Sequence, residues 1–146
     1  MVMPVKQLEM MQHIGRLYRT WASSFEAEVG ISGVRWRILL ALHNGLISQK
    51  NLIKKLQIDA ATLTRHVKAM EKDGLLTRAV DENDNRVINV EITEAGLVLL
   101  HQTRVKRDAF LQKMMWDISD EEIDVLLATL DKIQARLCNV QSSLEK

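Results

Sequence analysis

The sequence is poor in the residues that interrupt helices or build covalent frameworks. Its 146 residues include one cysteine, one proline, six glycines and only 4% aromatic residues. A single cysteine excludes a disulfide framework and a cysteine-based zinc knuckle. So little proline and glycine argues against a loop-rich or all-β fold and favours long helices. With 47% hydrophobic residues, the chain can bury a core as one ordinary domain or two very small ones.

Long apolar runs and an excess of either charge are also missing. The apolar run at residues 38–42 is far shorter than the ~20 residues needed to cross a bilayer. Residues 1–15 contain no unbroken apolar segment of the kind that directs secretion. We therefore expect a soluble, cytoplasmic protein that does not bind membranes. Because the net charge is only +1, any basic surface for nucleic acid must be local.

The apolar residues of the first half recur at steps of three and four, which is the helical period. This pattern predicts helices over residues 7–29, 33–43, 49–56 and 60–72. Ser32, Ser48 and Asp59 stand where N-caps of the last three helices belong. In the fourth helix the apolar stripe consists of Leu63, Val67 and Met70.

The period then changes from helix to strand. Residues 75–80 and 87–92 are short runs of β-forming residues around a polar turn at 81–86, which predicts a β-hairpin. A short helix, a turn, a second helix and a hairpin make a winged helix-turn-helix. The expected fold is therefore mainly α with a small β-hairpin wing, and residues 33–93 are predicted to form its winged helix-turn-helix, a fold that many proteins use for DNA binding.

Two long helices are predicted to follow, one over 94–115 and one that begins with a capping box at Ser119 and Glu122. The last helix carries an apolar seam with heptad spacing, formed by Ile123, Leu126, Leu130, Ile133, Leu137, Val140 and Leu144. Such a seam packs either inside its own subunit or against a second one. We favour the second, because the terminal helices are too long for the winged segment to cover. Residues 1–32 and 94–146 are therefore predicted to form a helical dimerisation region.

An α-helix fits the major groove of DNA, where base edges offer patterns of donors and acceptors. The outer face of the predicted helix 60–72 carries polar, cationic and small side chains, namely Ala61, Thr62, Thr64, Arg65 and Lys68. The start of the preceding helix offers Ser48, Gln49 and Lys50 to phosphate oxygens. A helix face of this kind is usually only a solvated surface. Its position directly before a charged hairpin favours DNA binding here.

The turn of the hairpin places Asn85 and Arg86 at the tip of the wing. An arginine at this position can enter the minor groove. Asp84 is expected to hold or orient Arg86, and Arg78 on the facing strand is the alternative partner of Asp84.

Several stretches between residues 36 and 96 resemble the MarR family of bacterial winged-helix regulators. They read WRILLAL at 36–42, LIKKL at 52–56, TLTRHV at 62–67, MEKDGLLTR at 70–78, DNR at 84–86 and ITEAG at 92–96. One departure is visible at Asn85, where many members have a second arginine.

The resemblance implies a homodimeric DNA-binding transcriptional regulator, commonly a repressor, paired through its long terminal helices. It implies that helix 60–72 enters the major groove, that Arg86 enters the minor groove, and that a small aromatic or anionic ligand releases the DNA. Two-fold symmetry predicts a pseudo-palindromic operator in double-stranded DNA. The alternative is a winged-helix protein-interaction module without DNA binding, whose affinity for its partner would depend little on salt.

Other chemistry finds little support in the sequence. His13, Arg16, Trp36 and Arg37 are candidates for an anion pocket where the first two helices cross, and the alternative is aromatic core packing with surface arginines. The four histidines lack metal-ligand spacing, so no metal or other cofactor is expected. No nucleophile motif, phosphate-binding glycine loop or paired acid and base appears, so no enzyme is expected.

Overall fold

The computed structural model describes residues 5–146, which are mainly helical. The elements in chain order are α1 (Val5–Val29), α2 (Gly33–Leu42), β1 (Ile47–Ser48), α3 (Gln49–Leu56), α4 (Ala60–Lys72), β2 (Leu76–Val80), β3 (Ile88–Ile92), α5 (Glu94–Met115) and α6 (Asp120–Leu144). The chain divides into two compact units, with the boundary between Phe110 and Leu111. All six predicted helices and both strands of the predicted hairpin are present, with ends that differ from the prediction by at most two residues.

The predicted N-caps are confirmed. Ser32 accepts a hydrogen bond from the amide of Arg35 at 3.3 Å, and Ser48 accepts one from the amide of Asn51 at 3.2 Å. Asp59 caps α4. Ser119 and Glu122 form a reciprocal capping box at the start of α6. Each cap satisfies an amide that the first helical turn leaves without a partner.

The core of the first unit lies where α2, α3 and α4 meet the sheet. Leu63, Val67 and Met70 of α4 are fully buried, as the sequence predicts, together with Leu39 of α2 and Leu52 of α3. Full burial of such side chains contributes about 1.5–3 kcal/mol each relative to exposure. This packing fixes the rotation of α4 about its own axis.

The wing is a three-stranded antiparallel sheet rather than the predicted two-stranded hairpin. Its strand order is β1-β3-β2, with Ile47 opposite Val90 and Leu76 opposite Ile92. Strand β1 has only two residues, too few to show a period in the sequence. It is strand-like because it pairs with β3, which lies much further along the chain.

The start of α5 packs closely against the turn between α4 and β2. The Thr93 amide donates to the carbonyl of Leu75 at 3.1 Å, and the Thr93 hydroxyl donates to the carbonyl of Gly74 at 2.6 Å. A Cβ on Gly96 would overlap the carbonyl oxygen of Leu75. Glycine at this position therefore lets α5 approach the backbone of the turn.

The second unit contains the last residues of α5 and the whole of α6. No residue of α6 is buried. The residues of the predicted heptad seam lie on one continuous helix, and its members Leu126, Leu130 and Leu137 are 57%, 36% and 50% exposed. Within residues 5–146, no helix combines the length and the apolar character needed to span a membrane.

We expect Gly96→Ala to lower the free energy of unfolding. The added methyl group overlaps backbone rather than a movable side chain, and overpacking of this kind costs about 1–3 kcal/mol. Urea denaturation at a fixed protein concentration measures the change. Gly15→Ala is the matched control, since its Cβ meets only the end of the flexible Arg19 side chain at 3.3 Å and alanine favours the helix. Equal stability of Gly96→Ala and the parent would contradict this account of the turn.

Candidate nucleic-acid interface

The connection between α3 and α4 is held by three local features. Gln57 adopts a left-handed conformation with φ 52° and ends α3. The Arg37 guanidinium donates to the carbonyl of Leu56 in the last turn of α3. Asp59 then begins α4 by accepting from the amide of Thr62 at 2.8 Å. These contacts fix the angle between the two helices of the helix-turn-helix.

The face of α4 opposite the buried stripe is exposed and cationic. Ala61, Arg65 and Lys68 lie on this face, and all three are exposed. Within residues 5–146, Arg65 and Lys68 make no hydrogen bond or ion pair. Their donors are therefore available to a bound molecule.

The two threonines lie on opposite flanks of this face, because a separation of two residues corresponds to about 200° around a helix. Both are half-buried. The Thr62 hydroxyl donates to Asp59 at 2.6 Å, and this bond is the main cause that lowers the pKa of the Asp59 carboxyl. The Thr64 hydroxyl accepts from the side-chain amide of Gln49 at 2.9 Å.

The residues predicted to contact phosphate at the start of α3 differ in whether their side chains already have hydrogen-bond partners within the protein. The Ser48 hydroxyl is the helix cap, and the Gln49 amide nitrogen binds Thr64, so both side chains have partners inside the protein. The side-chain oxygen of Gln49 is buried without a partner in the described part of the chain. Lys50 is exposed.

The tip of the wing is ordered by two aspartates. Asp81 accepts from the amides of Asn83 and Asp84 at 3.0 and 3.2 Å and from the side-chain amide of Asn89 at 2.8 Å. The bond from Asn89, with those from the two backbone amides, lowers the pKa of Asp81. Asp81 was not among the residues predicted from the sequence, although an aspartate that begins a polar turn is a common signal of such a loop.

Arg86 extends from this tip into solvent. Its amide donates to Asp84 at 3.0 Å, and its Nε lies 3.6 Å from the same carboxylate, as expected for an aspartate that orients the arginine. The Arg86 side chain is nevertheless 94% exposed, so its terminal nitrogens can reach a ligand. Asn85 beside it is also exposed.

The alternative pairing of Arg78 with Asp84 is wrong. Arg78 forms two hydrogen bonds to the Glu71 carboxylate through Nε and a terminal nitrogen, at 3.3 and 3.1 Å, and its amide donates to the same group at 3.0 Å. These bonds lower the pKa of Glu71. Since the chain turns back directly after α4, β2 passes the end of that helix, and Arg78 joins the wing to α4.

The four residues predicted to share an anion pocket are not brought together at the cavity beside α1 and α2. A cavity of about 490 Å³ lies beside α1 and α2, and Arg37 is the member of the four that lines it. On the exposed face of α1, a terminal guanidinium nitrogen of Arg16 instead lies 3.0 Å from Nδ1 of His13, within hydrogen-bond distance. Neither side chain lines the cavity.

Trp36 packs against the aromatic core, which was the alternative to a role in an anion pocket. Its ring lies 5.7 Å from that of Phe25, and the guanidinium carbon of Arg107 lies 5.6 Å from its centroid. The cavity lining also includes Tyr18 and His66, neither of which was predicted from the sequence. Burial, with the nearby charges of Arg65 and Arg35, lowers the pKa of His66 and keeps its imidazole neutral.

Known proteins are similar to this chain in sequence and in fold. A family model described as MarR family matches residues 29–86. The HTH-type transcriptional regulator YdgJ of Bacillus subtilis is 30% identical over 138 residues, which cover 94% of this chain and 84% of YdgJ.

Two solved structures have the same architecture. A mutant of MarR from E. coli, complexed with operator DNA, superposes with a TM-score of 0.80 at 19% identity, covering 88% of this chain and 95% of that one. The regulator RdhR-CbdbA1625, bound to 2,4-dichlorophenol, superposes with a TM-score of 0.83 at 20% identity, covering 92% of this chain and 82% of that one.

The described residues thus form a winged helix-turn-helix protein with an exposed cationic helix beside a wing. With the matches above, the chain belongs to the MarR family of transcriptional regulators. This family consists of DNA-binding regulators and not of enzymes.

Proposed function

We propose that this protein is a homodimeric, sequence-specific regulator that binds double-stranded DNA at a pseudo-palindromic operator. The observation that carries the proposal is the cationic face of α4, where Arg65 and Lys68 have no protein partner among residues 5–146, next to a wing that presents Arg86. Arginine can bind guanine through two hydrogen bonds, and exposed cations bind phosphates. The complex of MarR with operator DNA supports the same use of the fold here.

The proposed role of each side chain follows from its exposure and from whether it has a hydrogen-bond partner within the protein. Arg65 reads a base edge in the major groove, with Ala61, Thr62, Thr64 and Lys68 beside it. Lys50 neutralises a phosphate at the start of α3. Ser48 and Gln49 stabilise the N-terminal end of that helix, which faces the same phosphate. Arg86 enters the minor groove with Asn85 beside it. Arg78 and Asp84 support the wing.

Loss of the Arg65 guanidinium should weaken specific binding more than non-specific binding. For Arg65→Ala we expect affinity for a sequence selected from a random DNA pool to fall about 5- to 150-fold, the equivalent of ~1–3 kcal/mol. Arg86→Ala should reduce the slope of log affinity against log salt by about 1, since one cation is lost from the groove. Fluorescence anisotropy measures both.

Lys132→Ala on α6 is the control for these variants, since it removes a cation outside the proposed interface. If Arg65→Ala binds selected and random DNA as well as the parent does, the recognition role is wrong. Binding of a protein partner with little dependence on salt, and no selected sequence, would favour the protein-interaction module instead.

The homodimer is proposed from the apolar seam of α6. A stripe of leucine, isoleucine and valine along a helix of 25 residues, none of them buried, is larger than monomeric proteins usually expose. Heptad spacing is suited to packing against a second helix of the same kind. Residues 1–32 and 94–146 are the proposed dimerisation region, and residues 33–93 the DNA-binding part.

A charge placed in the seam should dissociate this dimer. We expect Leu130→Glu to raise the dimer dissociation constant at least tenfold, because two carboxylates would be brought into an apolar interface. Sedimentation equilibrium over a range of protein concentrations measures it. Ala128→Glu is the control, since residue 128 lies on the opposite side of α6. A parent protein that is monomeric at micromolar concentration, or a Leu130→Glu variant that dimerises like the parent, would refute the seam as an interface.

The cavity beside α1 and α2 is the proposed site for a small aromatic or anionic effector. Tyr18 and Trp21 supply aromatic surface, Arg37 a positive charge and His66 a neutral imidazole. Since His66 belongs to α4, a ligand in this cavity would touch the helix that is proposed to read DNA. The 2,4-dichlorophenol bound to RdhR-CbdbA1625 supports a ligand of this chemistry.

Isothermal titration with benzoate and with 2,4-dichlorophenol tests the effector site. We expect binding of at least one compound, a lower operator affinity in its presence, and a dissociation constant raised about 2- to 10-fold in Tyr18→Ala through lost aromatic contact. Arg16→Ala should bind like the parent, since the Arg16 side chain does not line the cavity. Weaker binding in Arg16→Ala but not in Tyr18→Ala would place the ligand elsewhere.

Repression follows from the same proposal, because a dimer that covers its operator blocks access to that DNA until an effector releases it. Such a regulator acts in the cytoplasm, where bacterial DNA is located.

A further inference from the structure

The first turn of α4 contains a hydrogen-bond arrangement that bears on which base atoms the helix can read. Both oxygens of the Asp59 carboxylate are used by a single residue. Oδ1 accepts from the Thr62 amide at 2.8 Å, and Oδ2 accepts from the Thr62 hydroxyl at 2.6 Å. Thr62 lies on a flank of the exposed face of α4, one turn before Arg65.

An ionised carboxylate has no hydrogen to donate. The short contact between Thr62 Oγ1 and Asp59 Oδ2 therefore requires that the hydroxyl hydrogen point at Asp59. The lowered pKa of Asp59 means that the carboxylate stays ionised at neutral pH. What Thr62 retains for any other molecule is the lone pairs of its oxygen, so it can accept a hydrogen bond but cannot donate one.

Thr64 is not constrained in this way. Its oxygen accepts from the amide nitrogen of Gln49, which leaves its own hydrogen free to donate. The two threonines thus differ in hydrogen-bonding capacity although their side chains are chemically the same: Thr64 can still donate a hydrogen bond, and Thr62 cannot.

We propose that Asp59 is a positioning residue for DNA recognition, and that it restricts Thr62 to accepting a hydrogen bond from an amino group in the major groove. Two such groups exist on base edges, N6 of adenine and N4 of cytosine. The carbonyl groups O6 of guanine and O4 of thymine would face a lone pair of Thr62 and be rejected. The inference rests on the proposed function, since it assumes that α4 lies in the major groove.

Base analogues can test the inference, because every base pair carries both an amino and a carbonyl group and sequence preference alone cannot separate them. Selection from a random DNA pool with the parent and with Thr62→Val first identifies the base pair whose preference depends on Thr62. In that pair, purine replaces adenine, or 2-pyrimidinone replaces cytosine, to delete the amino group. As controls, uracil replaces thymine to delete the methyl group, or 2-aminopurine replaces guanine to delete the carbonyl group O6.

We expect deletion of the amino group to weaken binding of the parent about 2- to 10-fold, the effect of one lost hydrogen bond, and to have no further effect on Thr62→Val. Such non-additivity is the mark of a direct contact. In Asp59→Asn the loss of affinity caused by deletion of the amino group should be smaller. The asparagine amide can donate to the Thr62 oxygen, which leaves the hydrogen of the Thr62 hydroxyl free to donate elsewhere. Asparagine caps a helix as well as aspartate does, so the stability of this variant should stay near that of the parent.

Three outcomes would overturn the inference. In the first, deletion of the methyl or carbonyl group weakens binding and deletion of the amino group does not. In the second, Thr62→Val leaves all base preferences unchanged. In the third, Asp59→Asn, folded and stable, keeps the full penalty. If the parent selects no DNA sequence at all, the proposed function itself fails and the inference fails with it. A matched Thr64→Val variant should lose preference at a different base pair from Thr62→Val.

Discussion

The burial of one face of α4 is the constraint on which the rest of the molecule depends. Leu63, Val67 and Met70 have no exposed surface, and rotation of the helix by even a quarter turn would bring this stripe into water. Because the helical period is fixed, burial of that stripe dictates that Arg65 and Lys68 point outward. The cationic face is thus a consequence of the apolar one, and residues that never meet a ligand determine its direction.

A second level of control comes from short polar contacts between neighbouring residues. Asp59, Asp81 and Asp84 each accept hydrogen bonds from residues two or three positions along the chain, and each lies next to a side chain or loop assigned to the interface. Their contribution to stability is modest, and for Asp59 it is that of an ordinary helix N-cap. Their main effect is geometric. They restrict the conformations of the interface side chains and loops before a ligand binds, and so reduce the entropic cost of binding.

Much of this architecture could be predicted from the sequence because it is local. The helices, their caps and the buried stripe follow from residues within a few positions of each other, and the contact between Asp84 and Arg86 spans two residues. Asp81 was missed although its contacts with Asn83 and Asp84 are also local, whereas the other misses involve partners further away in the chain. Strand β1 exists through its pairing with β3, Arg78 binds Glu71 across a turn, and the cavity near Arg37 is lined by residues of other helices. Periodicity carries no information about such pairs.

The link between the wing and α4 has a consequence of its own. The turn at residues 73–75 is short, Thr93 binds its backbone, and Arg78 connects β2 to Glu71, so these contacts restrain the wing relative to α4. A helix and a wing restrained in this way can enter both grooves of a duplex only at a narrow range of groove separations, and that separation varies with the stiffness and twist of the intervening base pairs. If α4 and Arg86 bind as proposed, the protein would discriminate among sequences through the mechanics of base pairs that no side chain touches.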